Sequence, residues 1–151
     1  MKLLTTIILS LLVLVSEAQD GAMEGIDAFF MEEGFFDNVN DAVENADDAL
    51  YLDLSLQSPK LTSIPSEVFK LEKLKYLELG FNQIGAVDAQ IAALTNLEIL
   101  GLDGNKYLKS LAAEVFQLPK LKELHLKDTG LSNDQLDVIR SRLPAKCKLF
   151  R

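Results

Sequence analysis

Between Ala49 and Leu131 the apolar residues recur at a spacing that fits neither a long helix nor a plain strand. The pattern is leucine, two variable residues, leucine, one, leucine, two, then a small polar side chain. It reads ALYLDLSLQ from Ala49, LKYLELGFN from Leu74, LEILGLDGN from Leu97 and LKELHLKDT from Leu121, so successive copies start 25, 23 and 24 residues apart. Periods of this length belong to solenoids, in which each copy is one coil that buries its apolar side against its neighbours.

The alternation xLxLx predicts a short strand with leucines on one face: Leu52 and Leu54, Leu77 and Leu79, Leu100 and Leu102, Leu124 and Leu126 point into the core. The apolar residues that follow (Ile84, Val87, Ile91 and Leu94 in the second copy) close the other side of the coil. Gln57, Asn82, Asn105 and Thr129 stand where the chain turns away from the strand inside the core. Backbone groups buried there need partners, and a side-chain amide both donates and accepts.

The four copies resemble the leucine-rich repeat family over roughly Ala49 to Arg151, and the segments LTSIPSEVFKLEKL and LAAEVFQLPKL resemble the convex side of its short, typical bacterial repeats. The resemblance implies an α/β solenoid of about four coils, a short curved arc with a parallel sheet on its concave face and helical caps at both ends. The departures, Ala49 at the first leucine, Gln57 and Thr129 at the asparagine and the extra residues of SLQSPKL, fall in the terminal coils, where capping relaxes the pattern.

The flanks divide the rest of the chain. Residues 1–18 read as a signal peptide, with Lys2 before an apolar run from Leu3 to Val15 and small residues Ser16 and Ala18 at the cleavage position. That run is shorter than the roughly 20 residues a membrane-spanning helix requires. Residues 19–36 form an acidic leader, partly flexible by composition yet carrying Phe29, Phe30, Phe35 and Phe36. Residues 37–48 read as a capping helix, with Asp37 or Asn38 as N-cap and Val39, Ala42, Val43 and Ala46 on one face. Repeats fill 49–130. A C-terminal cap occupies 131–151, with Ser132 and Gln135 as a capping box and Leu136, Ile139 and Leu143 at helical spacing before Pro144. Cys147, the single cysteine, reads as a small buried cap residue.

Charge changes the picture in one respect. The formal charge is -8 with no basic tract, which removes nucleic acid as a partner class. From Gln19 to Pro59 there are eleven acidic residues and no Lys or Arg. This flank reads as either a solvated surface or a face offered to a basic partner.

Candidate chemistry lies on the outward strand positions. Tyr51, Tyr76 and Ile99, with Phe81, form an apolar strip beside Asp53, Glu78 and Asp103, and His125 is the only histidine. Exposed tyrosines suit recognition, although cross-strand stacking accounts for them equally. His125 sits two rows from Glu78, about 9 to 10 Å by strand spacing, too far for joint metal ligation from rigid strands. No catalytic motif is present, and no cofactor or metal is implied. The chain therefore reads as an exported, non-enzymatic module, secreted or held in the periplasm or cell envelope. It binds another protein or peptide through Tyr51, Asp53, Tyr76, Glu78, Phe81, Ile99, Asp103 and His125, with no stable membrane insertion after cleavage of the leader. The alternatives are an envelope glycan or peptide receptor and, with the leader uncleaved, an intracellular signalling scaffold.

Overall fold

The computed structural model describes residues 34–151. The signal peptide and all of the acidic leader before Gly34 lie outside the described residues.

Among the described residues, eight short strands are interspersed with five short helices. A parallel sheet is built from β1 (Phe35–Phe36), β2 (Tyr51–Asp53), β3 (Tyr76–Glu78), β5 (Ile99–Gly101), β7 (Glu123–His125) and β8 (Lys148–Phe150), in that spatial order. Its register is that of the repeat: Leu52, Leu77, Leu100 and Leu124 lie side by side, as do Tyr51, Tyr76, Ile99 and Glu123. On the opposite side each of the first three coils carries a short 3-10 helix, Ser66–Lys70, Ala89–Ala93 and Ala113–Gln117. Between them β4 (Ala86–Val87) pairs with β6 (Ser110–Leu111) in a second, two-stranded sheet.

The core is the leucine ladder between these two sides. Leu52, Leu77, Leu79, Leu100, Leu124, Ile84 and Ile91 are inaccessible to solvent. Rows of identical residues at one strand spacing bury each leucine against the copies before and after it, so no coil completes its core alone.

Both ends are sealed by helix and strand together. In α1 (Val39–Glu44) the cap is Asn38, whose Oδ1 accepts from the amides of Asn40 at 2.7 Å and Asp41 at 3.4 Å. Ala42 is buried, and Val39, Val43 and Ala46 pack against the core. In α2 (Asn133–Arg142) the Ser132 side chain accepts from the Gln135 amide, and Gln135 Oε1 accepts from the Ser132 amide at 2.9 Å. Leu136 and Ile139 are the buried residues of this helix.

Three local features differ from the sequence reading. Phe35 and Phe36, placed in the leader, form β1, held through Gly34 O accepting from the Leu50 and Tyr51 amides. The chain after α2 adds β8 beside β7, so four repeats support a six-stranded face. Cys147 is partly rather than fully buried, since it stands just before β8, which pairs only with β7 among the described residues. Burial and then Glu123 push its thiol up, away from the reactive thiolate.

Candidate functional site

The repeat places one side chain per coil at each outward position, so the solvent-facing side of the sheet is organised in columns. The third repeat position forms the column Phe35, Tyr51, Tyr76, Ile99, Glu123 and Lys148. The fifth forms Asp53, Glu78, Gly101, His125 and Phe150. The rings of Tyr51 and Tyr76 are 6.1 Å apart at an interplanar angle of 46°, within the range of favourable tilted aromatic pairs.

Carboxylates occupy the middle of this face. Asp53 Oδ1 accepts from the Ser55 amide at 2.8 Å, and Glu78 Oε1 from the Gly80 amide at 2.7 Å. Asp103 Oδ1 reaches the next coil, accepting from the Lys127 amide at 2.7 Å. The Tyr76 hydroxyl donates to Glu78 Oε2 at 3.5 Å. Among the described residues, Asp53, Glu78 and Asp103 take part in no ion pair. Burial raises the Glu78 carboxyl above the usual carboxylate range, and the negative charges of Asp53 and Asp103 add to the effect against the Gly80 hydrogen bond. Burial, followed by the same carboxylate environment, pushes the Tyr76 phenol well above its ordinary value, so it remains a neutral donor.

Glu78 owes its position to the next coil. The space where a side chain at Gly101 would stand is filled by the Glu78 carboxylate: a Cβ there would lie 1.9 Å from Oε2. The carboxylate therefore lies over β5, the row that separates β3 from β7. At His125 itself, Nε2 stands 3.3 Å from Glu123 Oε2 and the ring lies 4.4 Å from that of Phe150. No cluster of three or more His, Cys, Asp or Glu side chains suited to a metal ion occurs among the described residues.

Comparison with known proteins agrees with this geometry. A leucine rich repeat family model matches residues 53–106. A solved leucine-rich repeat protein of Leptospira interrogans is 33% identical and superposes with a TM-score of 0.63, over 72% of this chain and 27% of that one. The chain belongs to the leucine-rich repeat family. Two Listeria monocytogenes structures are also similar. An internalin is 18% identical with a TM-score of 0.46, over 76% of this chain and 38% of its own. Internalin C2 is 26% identical with a TM-score of 0.43, over 77% and 55%. The chain thus spans between about a quarter and about half of the length of these structures. No curated protein matches it.

The leucine-rich repeat turn explains the asparagines and corrects one site assignment. Asn82 Nδ2 donates to Leu54 O at 2.8 Å in the preceding coil and to Leu79 O at 3.0 Å in its own, while Oδ1 accepts from the Leu61 amide at 3.2 Å. Asn105 repeats this one coil later, with Leu79 O, Leu102 O and the Ile84 amide as partners. In the outer coils the ladder stops: Gln57 Nε2 reaches only Ser55 O at 3.4 Å, and the Thr129 hydroxyl donates to its own coil's Leu126 O.

Entering this turn requires a left-handed residue at the eighth repeat position of every coil. Leu56, Phe81, Gly104 and Asp128 have φ of 53°, 56°, 72° and 55°. Glycine adopts this conformation without penalty and aspartate tolerates it, whereas for other residues it costs roughly 1–2 kcal/mol. Phe81 is therefore not in the strip with Tyr51, Tyr76 and Ile99. It stands on the rim where the chain leaves the sheet, its ring lying over Gly104, where an added Cβ would meet Phe81 Cδ1 at 2.6 Å. The single strip expected from the sequence is two apolar rows, Phe35–Tyr51–Tyr76–Ile99 on the strands and Leu56–Phe81 on the rim, with the carboxylates between them.

Sequence reasoning left Leu56, Phe35 and Phe150 out of the candidate binding residues. Leu56 shares the repeat position of Phe81 and was legible from that. Phe35 and Phe150 belong to strands of two and three residues, too short to carry an alternation of their own.

Proposed function

We propose that this leucine-rich repeat chain is an exported, non-catalytic module that binds another protein or peptide through the solvent-facing, concave side of its parallel sheet. Leucine-rich repeats are commonly protein-interaction modules. The observation that carries the reading here is the face itself: half-buried tyrosines next to carboxylates that form no ion pair among the described residues. Those side chains contribute nothing to the leucine core. Tyrosine supplies contact area and a hydrogen bond at small entropic cost, the composition of recognition surfaces. The leader supports export to the cell surface, periplasm or medium. The Leptospira likeness, to a bacterial protein, is compatible with it.

The test has two arms. Fractionation of tagged protein with N-terminal sequencing should find a chain beginning near Gln19 outside the cytoplasm; an intact Met1 in the cytosol would defeat the export reading. Cross-linking pulldown from envelope extract should recover a protein that Tyr76→Ala no longer retains, while the variant stays folded. Binding confined to a glycan array would instead select the receptor alternative.

A further inference from the structure

Among the described residues, two of the most exposed large apolar side chains stand on adjacent coils at the same repeat position. Leu56 is 66% exposed and Phe81 56%. Backbone pairing sets them in register, with the Leu56 amide donating to Gly80 O and the Phe81 amide to Asp103 O. They lie about one strand spacing apart, roughly 4.8 Å at the backbone. The third coil contributes glycine at this position, leaving the Phe81 ring a shelf on which to lie flat. The result is a small apolar ridge on the same face as the carboxylates of Asp53, Glu78 and Asp103.

Nothing in the fold requires leucine or phenylalanine here. The core is closed without them, and the left-handed backbone disfavours both. A lone exposed apolar side chain is ordinary, but two aligned ones bordering unpaired carboxylates form a continuous surface of mixed character. Asp53, Glu78 and Asp103 each have one carboxylate oxygen occupied by a backbone amide, which holds the group in place, and among the described residues none forms an ion pair. On the same face, His125 Nε2 stands 3.3 Å from Glu123 Oε2, and Lys127 meets Asp103 through its backbone amide.

Building on the protein-binding reading above, we propose that the rim formed by Leu56 and Phe81, together with Asp53, Glu78 and Asp103, docks an extended protein segment in which an apolar side chain stands next to a lysine or arginine. The apolar side chain covers the ridge, and the cation lies over the carboxylates with Tyr76 at its flank. Charge complementarity chooses this occupant. A second copy of the chain would bring a net charge of -8 against the same carboxylates, and an acidic or neutral segment would leave them unpaired. The apolar ridge makes the contact selective for neighbours of the basic residue, since a cation alone would bind every carboxylate row equally.

The experiment uses the full chain, isotopically labelled, titrated with short soluble peptides carrying Leu-Arg in a Gly-Ser background and followed by amide chemical shifts. Leu-Glu and Ser-Arg peptides are the comparisons. The Leu-Arg peptide should move the amides of residues 53–56, 78–82 and 101–104, bind at least roughly tenfold more tightly than either comparison, and weaken by about that factor with Phe81→Gly or Glu78→Gln. Phe81→Gly should be no less stable than the parent, because glycine relieves the left-handed backbone; a loss of stability would show that the ring is structural and overturn the proposal. Leu56→Asn should weaken binding in the same way. Equal binding of the Leu-Glu peptide on the same face would overturn the basic-segment assignment while leaving the protein-binding reading intact. Shifts at these residues that grow with protein concentration alone would assign the ridge to self-association and overturn the proposal. Absence of any shift with the Leu-Arg peptide would overturn it as well, and recovery of a partner through Tyr76 in the pulldown would still stand.

Discussion

Replacing Asn105 with alanine tests the reasoning about this fold most directly. The side chain is wholly buried and makes three hydrogen bonds, to Leu79 O at 3.0 Å, Leu102 O at 2.9 Å and from the Ile84 amide at 3.0 Å. Each is worth about 1 kcal/mol net, and a buried donor left without an acceptor costs more, about 1–3 kcal/mol. Ile84 is itself inaccessible, so water cannot replace the lost acceptor without opening the coil. The expected loss is about 3 to 5 kcal/mol, a large part of the roughly 5–15 kcal/mol of a typical domain. Asn105→Asp keeps the acceptor for Ile84 but turns a carboxylate toward two carbonyl oxygens, and should be at least as damaging at neutral pH. Gln57→Ala is the internal reference. Its amide reaches only Ser55 O, so its loss should stay within about 0.5 kcal/mol. Urea unfolding followed by far-ultraviolet circular dichroism measures all three variants. Were Asn105→Ala to unfold within about 1 kcal/mol of Gln57→Ala, the buried amide would not be holding neighbouring coils together, and the account of the turn would be wrong.

Two further predictions concern Glu78. Its carboxyl holds a proton more tightly in the folded chain than in the unfolded one, chiefly through burial, with Asp53 and Asp103 adding to this and Gly80 and His125 opposing it. The folded state then binds more protons, and stability falls as pH rises from the ordinary glutamate range through the raised folded value. Glu78→Gln should therefore be more stable than the parent above that window and equal to it below; a difference that persists unchanged in acid would contradict the burial account. Gly101→Ala places a methyl group where the Glu78 carboxylate lies, in a backbone conformation alanine accepts. The flexible carboxylate should swing into solvent at a stability cost within about 1 kcal/mol, and its titration, followed by carboxyl carbon shifts, should return toward the ordinary range.

The periodic part of the structure was legible in the sequence because its cause is local. Alternation assigned Leu77 and Leu79 to the inside and Tyr76 and Glu78 to the outside, and the break after Leu79 located Asn82 at the turn. Ser132 and Gln135 announced their capping box in the same way, since the two residues lie within one helical turn. The period of 23 to 25 residues then implied the stacking of coils, because no single coil could bury its leucines.

Other features arise only between coils. The edge strands β1 and β8 are held by backbone bonds from Gly34 and alongside Lys122, and such bonds leave no mark on side-chain identity. That Glu78 lies over Gly101 and Phe81 over Gly104 depends on two missing Cβ atoms 23 residues further along the chain, brought beside them by the sheet register. The left-handed turn set Phe81 on the rim rather than in the tyrosine row, since a residue leaving the sheet no longer follows the strand's alternation. Composition and spacing determined which residues reach the surface of this leucine-rich repeat; contacts across the stack decided how they are grouped there.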